Sequence, residues 1–347
     1  MQQFYTLKWE GTAVSLLDQR RLPKEIVYET LRTVEDAFEA IRVMKVRGAP
    51  AIGVAAGYGM VLGLDTLEAV SGDDFLAAYT KMGEYMKTAR PTAVNLMWAI
   101  DKMLAAAKQV KDEVPAERRA ALEKEAVAIE KEDADTNYAI GENLLKLIPD
   151  GSTVLTHCNA GILATTAYGT ALSVFYVAQE KGMNIKAYAD ETRPRLQGAN
   201  LTAFELHNRG IDTTLICDNM AAVVMSQKKI DAIVVGCDRV AANGDTANKI
   251  GTFNVSILAK YFDIPMYIAA PTSTIDMNCP TGADIPIEER PANEIIMVND
   301  KPIAPVDIKT YNPAFDVSPA ENLAAIVTEK GIARYPYTES LKELMKK

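Results

Sequence analysis

The chain opens on short alternating segments, FYTLKW, TAVSLL and EIVYET, whose apolar spacing predicts a small antiparallel sheet. From Thr33 the spacing lengthens. TVEDAFEAIRVMKV carries apolar residues at helical intervals behind Thr33 as an N-cap, and further helices are expected near 50–62, 73–89 and 92–108. A charged stretch, KDEVPAERRAALEKEAVAIEKEDADTNYAIGENLLKLI, reads as one or two solvated helices running to a PDG turn at 149–151. The domain boundary is placed there, dividing the chain at 1–130 and 131–347. Beyond Gly151 the rhythm becomes strand–helix alternation, with strands at 152–157, 185–189, 213–217, 231–236 and 265–270. That pattern predicts an α/β fold with a parallel sheet covered on both faces by helices. The Pro-rich stretch 271–316 is too long for an idle connection and reads as a functional or interface loop, followed by a last helix near 318–330.

Composition narrows the class. At 347 residues the chain is long for one core, which agrees with two domains. A net charge of −9 argues against nucleic acid and against an anionic membrane surface as partners. A phosphorylated small molecule stays open, because a few local cations suffice to hold one. The four cysteines, Cys158, Cys217, Cys237 and Cys279, lack C-x-x-C spacing, so neither a disulfide frame nor a zinc ribbon is indicated. With only His157 and His207, a histidine-rich metal centre is not expected. The start, MQQFYTLKWEG, carries no signal-peptide pattern. The longest apolar run, 49–64, is rich in glycine and shorter than the roughly 20 residues of a membrane span, so it reads as a buried helix packed through small residues. The expectation is a cytoplasmic protein.

Ligands of open parallel sheets bind outside the carboxyl ends of the strands. The expected strand ends carry His157-Cys158-Asn159, Asp190-Glu191-Thr192-Arg193, Asp218-Asn219, Cys237-Asp238-Arg239 and Pro271-Thr272-Ser273. Cys158 reads either as a thiol whose pKa a helix N-terminus lowers or as an inert core cysteine. Asp238 reads either as a general acid raised by burial or as a cap paired with Arg239. Arg47 before Pro50 and Arg90 before Pro91 each set a guanidinium at a proline-marked helix start. That makes an anion site or, alternatively, only a surface arginine beside a helix-opening proline. Gln197, just before a helix near Gly198, is a hydrogen-bonding candidate or a solvated loop residue, and His207 is structural. In DAIVVGCDRVAANGDTANKIGT, Asn243-Gly244 makes a turn and Asn248-Lys249 fall in the first turn of a helix. A lysine there faces the unfavourable end of the helix dipole unless an anion accompanies it. GYGMVLG at 57–63 lies inside an apolar helix rather than after a strand and is rejected as a dinucleotide fingerprint. The residues by themselves point to a two-domain α/β enzyme acting on a small phosphorylated substrate through Cys158 and Asp238.

The segments VRGAPAIGVAA, RPTAVNL, THCNAG, ADETRPRLQGA, DNMAA, GCDRVAANGDTANKIGT, GADIPIEER and NPAFDVSP, in this order along essentially the whole chain, resemble the methylthioribose-1-phosphate isomerase family. That family is related to regulatory subunits of a translation-initiation exchange factor and to ribose-1,5-bisphosphate isomerases. The resemblance implies a small N-terminal α/β domain joined to a Rossmann-like catalytic domain, a homodimer, no metal or organic cofactor, and a sugar phosphate as substrate. Carried over by position, it implies Cys158 and Asp238 as the catalytic pair, with substrate contacts from Arg47, Gly48, Ala49, Arg90, Gln197, Asn248 and Lys249. Ile162, after HCNAG, departs from the smaller residue the resemblance leads one to expect. The implied reaction is isomerisation of 5-methylthioribose 1-phosphate in methionine salvage, with 5-deoxyribose 1-phosphate as the rival substrate. Ribose 1,5-bisphosphate isomerisation and a non-catalytic regulatory subunit stand behind those two.

Overall fold

A computed structural model describes residues 4–68, 70–91, 93–298 and 300–346. The chain forms two compact units, one of residues 4–135 with Ile162–Gly169, the other of Thr136–Gly161 with 170–346.

The first unit begins with β1 (Leu7–Trp9), β2 (Val14–Leu17) and β3 (Tyr28–Leu31), an antiparallel sheet in that order, as the alternation predicts. Next comes α1 (Val34–Arg42), where Thr33 and Asp36 form a reciprocal capping box that satisfies two end N–H groups. Three helices follow, α2 (Ala49–Leu62), α3 (Gly72–Lys87) and α4 (Val94–Val110). The expected start of the last of these, residue 92, lies outside the described residues. The charged stretch is one long helix, α5 (Pro115–Leu144), and the change of unit falls inside it. Helix α2 is buried from Ala51 to Leu62, and its glycines let neighbours close in. A Cβ on Gly53 would lie 2.9 Å from the Asn95 carbonyl oxygen of α4. The apolar segment Ala49–Leu67 has the length and composition to cross a membrane, but its burial makes it a core helix.

The second unit alternates β4 (Thr153–Thr156), α6 (Ser173–Glu180), β5 (Lys186–Asp190), α7 (Ala203–Asn208), β6 (Thr213–Ile216), α8 (Ala221–Ser226) and β7 (Ala232–Val235). A hairpin follows, β8 (Arg239–Ala241) and β9 (Thr246–Lys249), then α9 (Thr252–Tyr261) and β10 (Met266–Ala269). The Pro-rich stretch contains β11 (Ile275–Asp276), α10 (Asn293–Ile296), β12 (Met297–Val298), β13 (Lys301–Pro302) and the start of β14 (Phe315–Ser318). The chain ends with β15 (Ala325–Thr328), β16 (Gly331–Ala333) and α11 (Tyr337–Met345).

The main sheet runs β6-β5-β4-β7-β10-β15-β16, parallel except for β16 at one edge. All five expected strands are present. The helix expected over 318–330 is not. Its Ala-Ile-Val-Thr core is a fully buried strand, β15, parallel to β10, where a β-branched run packs better than in a helix. A smaller sheet, β11-β8-β9-β14, lies beside the main one in the same unit. Its hairpin turns at Asn243-Gly244, with Gly244 at φ 92°, a backbone conformation that glycine supplies. Asn248 and Lys249 therefore end a strand, and the helix starts only at Thr252.

Candidate active site

The main sheet reverses direction of growth between β4 and β7. From β4 the chain builds outward through β5 and β6, then returns to β7 and builds the other way through β10 and β15. Ligands of open α/β sheets bind at such a switch point, outside the carboxyl ends of the two strands. Cys158 follows β4 and Asp238 follows β7, so the candidate pair flanks this point within one unit.

Cys158 is held in the left-handed region, at φ 65°, and so are Thr192 at 65° and Leu196 at 59° on the facing β5 loop. Non-glycine residues there cost on the order of 1–3 kcal/mol each and persist only where their surroundings over-determine them. Hydrogen bonds do that here. The Cys158 N–H donates to Thr192 Oγ1 (2.8 Å), which donates to the Asp190 carbonyl oxygen (3.0 Å). Thr202 Oγ1 donates to the Cys158 carbonyl oxygen at 2.7 Å, and Asn159 Nδ2 donates to Thr202 Oγ1 and to the buried Glu205 carboxylate. Glu205 also accepts from the Tyr176 hydroxyl at 2.7 Å. A π-helical turn, Gly198–Thr202, brings Gly198 so close to the Asp190 carbonyl oxygen that a Cβ would sit 1.6 Å from it. Gln197, at the head of that turn, is buried with Oε1 lacking a hydrogen-bond partner in the chain. The helix start expected after Cys158 is absent. A short 3-10 turn at Ile162–Ala164 comes first and α6 begins only at Ser173, so no helix N-terminus directly follows the thiol. Ile162 is buried and belongs to the other unit, its carbonyl accepting from Thr6 Oγ1 at 2.6 Å.

His157 ties three segments together. Its Nε2 lies 2.9 Å from the Ile250 carbonyl oxygen, which can only accept, so Nε2 carries a hydrogen. Its Nδ1 lies 3.0 Å from Asp190 Oδ2, and that contact needs one further proton, on the ring or on the acid. Burial opposes charging the imidazole, yet the hydrogen bond to Asp190 and the Asp190 charge outweigh it, and the His157 pKa is raised above its ordinary 6.5. Burial raises Asp190 as well, so the pair retains its proton strongly. His157, Asp190 and Asp218 also group closely enough to be considered as metal ligands. Both ring nitrogens are engaged, however, and both Asp218 oxygens accept backbone N–H groups, from Thr192 and Arg193 at 2.7 Å each. This is a hydrogen-bonded core that fixes the loops after β4, β5 and β6.

Asp238 differs from the expectation of burial, because its side chain is exposed at the entry to the hairpin, where its N–H donates to the Ala247 carbonyl oxygen at 2.9 Å. The neighbouring Cys237 thiol is pushed well up, by burial first and then by the Asp238 charge, which suits packing rather than chemistry. The expectation for Lys249 also changes. Its Nζ donates to the Ala314 carbonyl oxygen at 3.0 Å and lies 4.4 Å from the Phe315 ring centre. The anion at the N-terminus of α9 is Asp316, which accepts from the Gly251 N–H (2.7 Å) and the Phe253 N–H (3.0 Å). Asn248 is buried, its Nδ2 donating to Thr252 Oγ1 at 3.0 Å. The holding role of Ala314, Phe315 and Asp316 was not read from the sequence. The signal for it was the acid in NPAFDVSP, whose strand pairs with β9 through Asp316 and Asn248.

Arg47, Gly48, Ala49 and Arg90 lie in the other unit. Gly48, at φ 88°, precedes α2, whose end no side chain caps; Arg47 is half-buried and Ala49 exposed. A Cβ on Gly48 would come within 2.4 Å of the Ala164 carbonyl oxygen, so the close approach requires glycine. Pro50 sits in the first turn of α2 as expected. Pro91 does not open α4. It lies in a turn closed by the Ala93 N–H to the half-buried Arg90 carbonyl oxygen at 3.0 Å.

The chain matches the initiation factor 2 subunit family over residues 45–335. It is 56% identical over 343 residues to a 5-deoxyribose 1-phosphate isomerase of Bacillus cereus, covering 99% of each chain. It is 55% identical over 338 residues to a methylthioribose-1-phosphate isomerase of Symbiobacterium thermophilum, covering 97% of this chain and 94% of that one. The solved structure of 5-methylthioribose 1-phosphate isomerase from Pyrococcus horikoshii OT3 superposes with a TM-score of 0.94 at 43% identity, over 100% of this chain and 97% of that one.

Proposed function

We propose a substrate and a catalytic pair for this chain, which belongs to the initiation factor 2 subunit family and is an isomerase of its sugar-phosphate branch. The substrate is 5-methylthioribose 1-phosphate and the product 5-methylthioribulose 1-phosphate, a step of methionine salvage. Cys158 carries the reading, as a residue whose left-handed backbone is fixed by hydrogen bonds to its N–H and carbonyl at the switch point of the sheet.

The phosphate on the anomeric oxygen prevents spontaneous ring opening. Asp238 acts as the general acid on the ring oxygen, breaking its bond to C1 and leaving C1 electron-deficient. Substrate covering the exposed carboxyl excludes water and favours its protonated form. Hydrogen then moves from C2 to C1 while the C2 hydroxyl gives up its proton, which restores the Asp238 acid, and becomes the ketone. Cys158 serves either as the thiolate base that carries this hydrogen as a proton, or as part of a dry pocket through which it passes as a hydride. Deuterium from solvent appearing at C1 excludes the hydride route. Gln197, whose buried Oε1 has no hydrogen-bond partner in the chain, is assigned to a substrate hydroxyl, and Asn248 and Lys249 are assigned to polar groups including the phosphate. The roles of Arg47, Gly48, Ala49 and Arg90 as substrate contacts rest on the resemblance, as does the homodimer. No organic cofactor is needed for the step.

The second reading, 5-deoxyribose 1-phosphate as substrate, is favoured by the 56% identity to the Bacillus cereus relative. Measuring kcat/KM for both sugar phosphates on one preparation decides between them, with faster turnover of the methylthio sugar expected. Faster turnover of the deoxy sugar establishes the second reading. Turnover of neither supports a regulatory subunit.

A further inference from the structure

The first unit contains a second feature that the isomerase reading does not use. Arg118, in the first turn of α5, is only 2% exposed, and its Nε and Nη1 have no hydrogen-bond partner in the chain. Its guanidinium lies 4.2 Å from the ring centre of the buried Phe75. A cation–π contact offsets part of the cost of burying that charge, but it leaves the N–H donors unpaired. Arg118 lines a cavity of about 450 Å³, together with Leu64, Leu67, Phe75 and Pro115.

Of the charged groups on or beside this cavity, Arg119 and Asp65 pair with each other, which leaves the Arg118 cation and the Glu68 carboxylate. Glu68 also lines the cavity but accepts from neither Arg118 Nε nor Nη1. The Arg118 and Glu117 N–H groups both turn back to the Val114 carbonyl oxygen at 3.0 Å, so the first turn of α5 is closed by backbone and the Arg118 side chain is what remains to hold an anion. An anion is therefore favoured there, while Glu68 on the wall disfavours a dianion. The leucine and phenylalanine walls ask for an apolar body behind the charged group.

We propose that this cavity binds a small monocarboxylate with a short apolar chain, its carboxylate on Arg118 and its chain against Leu64, Leu67 and Phe75. The site lies wholly within the first unit and involves none of the residues assigned to the isomerase reaction.

Calorimetric titration of the full chain with butyrate, with uncharged butyramide and with inorganic phosphate tests this. Butyrate is expected to bind saturably, butyramide not measurably, and phosphate more weakly than butyrate. Arg118→Met should lower butyrate affinity by roughly tenfold or more, the equivalent of losing a charge-assisted hydrogen bond. Replacing a buried charge by a hydrophobe of similar volume is often tolerated, so the variant is expected to fold. Equal butyrate affinity in wild type and variant overturns the proposal, as does absence of saturable binding. Phosphate binding as tightly as butyrate overturns the assignment of an apolar ligand. Should Arg118→Met not fold, wild-type crystals soaked in 4-bromobutyrate decide. An anomalous bromine peak in the cavity supports the site, and a cavity holding only water overturns it.

Discussion

The carboxyl ends of β4 and β7 are neighbours in one sheet, yet they are built in opposite ways. Past β4 the backbone is forced left-handed at Cys158, locked to Thr192 and Thr202, and underpinned by the buried His157–Asp190 pair. Past β7 the chain enters a regular hairpin, with Asp238 exposed and its N–H in an ordinary backbone bond. One side stores strain to hold a group in place. The other presents an exposed carboxyl on standard hairpin geometry. Preorganisation is costly and is spent where position matters most. For the proposed reaction that is the thiol that must meet the C2–C1 hydrogen, rather than the acid that must reach the ring oxygen.

The largest effects expected are on turnover. Cys158→Ser and Asp238→Asn should each lower kcat by about 10²–10⁴-fold, the usual contribution of a positioned acid or base. Near-normal turnover in either variant removes that residue from the mechanism. If the two ends differ as described, Cys158→Ser acts on kcat alone. Asp238→Asn should in addition flatten the alkaline side of the kcat pH profile, because a general acid is lost as pH rises through its ionisation in the covered complex.

The next largest effect is on stability and strikes only the β4 side. His157→Gln removes one partner of a buried pair and should cost about 3–5 kcal/mol. It should also change the pH response. The His157 pKa is raised in the folded chain, so the stability it contributes is fully present below its unfolded value of 6.5 and fades as pH rises through the higher folded value. Urea denaturation at stepped pH from 6 upward should show that decline in the wild type. The variant should lack it, and an equal slope in both would show that the pair does not hold its proton as argued.

This asymmetry was only half legible in the sequence. The five parallel strands stood out because each is a short apolar run closed by a polar pair, and their ends placed Cys158 and Asp238 on one rim before any geometry. What escaped were features set by contacts distant in sequence. AAIVTE has the composition of either a strand or a buried helix, and only pairing with β10 decides. After the Asn243-Gly244 turn, NKIGT reads as a helix start with Asp245 or Thr246 as its cap, yet pairing with β14 extends the strand to Lys249 and supplies Asp316 as the anion at α9. The dipole argument for a bound anion at Lys249 is thereby removed, and its assignment to the phosphate rests on the resemblance alone. The left-handed cysteine had no local signal, since nothing in THCNAG asks for positive φ until Thr192, more than thirty residues on, is folded against it.

The smallest effects separate the two ends most cleanly, because they leave shape unchanged. Thr192→Val keeps the volume and β-branching at φ 65° but deletes the hydroxyl that accepts from the Cys158 N–H and donates to the Asp190 carbonyl oxygen. An unsatisfied buried donor and acceptor should cost about 1–3 kcal/mol, and turnover should fall with it as the thiol loses its anchor. Asp238→Asn, at the exposed end, should change stability by less than about 0.5 kcal/mol while still abolishing most turnover. Denaturation midpoints for the two variants, set beside their kcat values, therefore give opposite ratios of stability loss to activity loss. Similar ratios would mean that both ends are equally preorganised, and the strain at Cys158 would then be a packing feature of the β4 loop rather than part of the catalytic design.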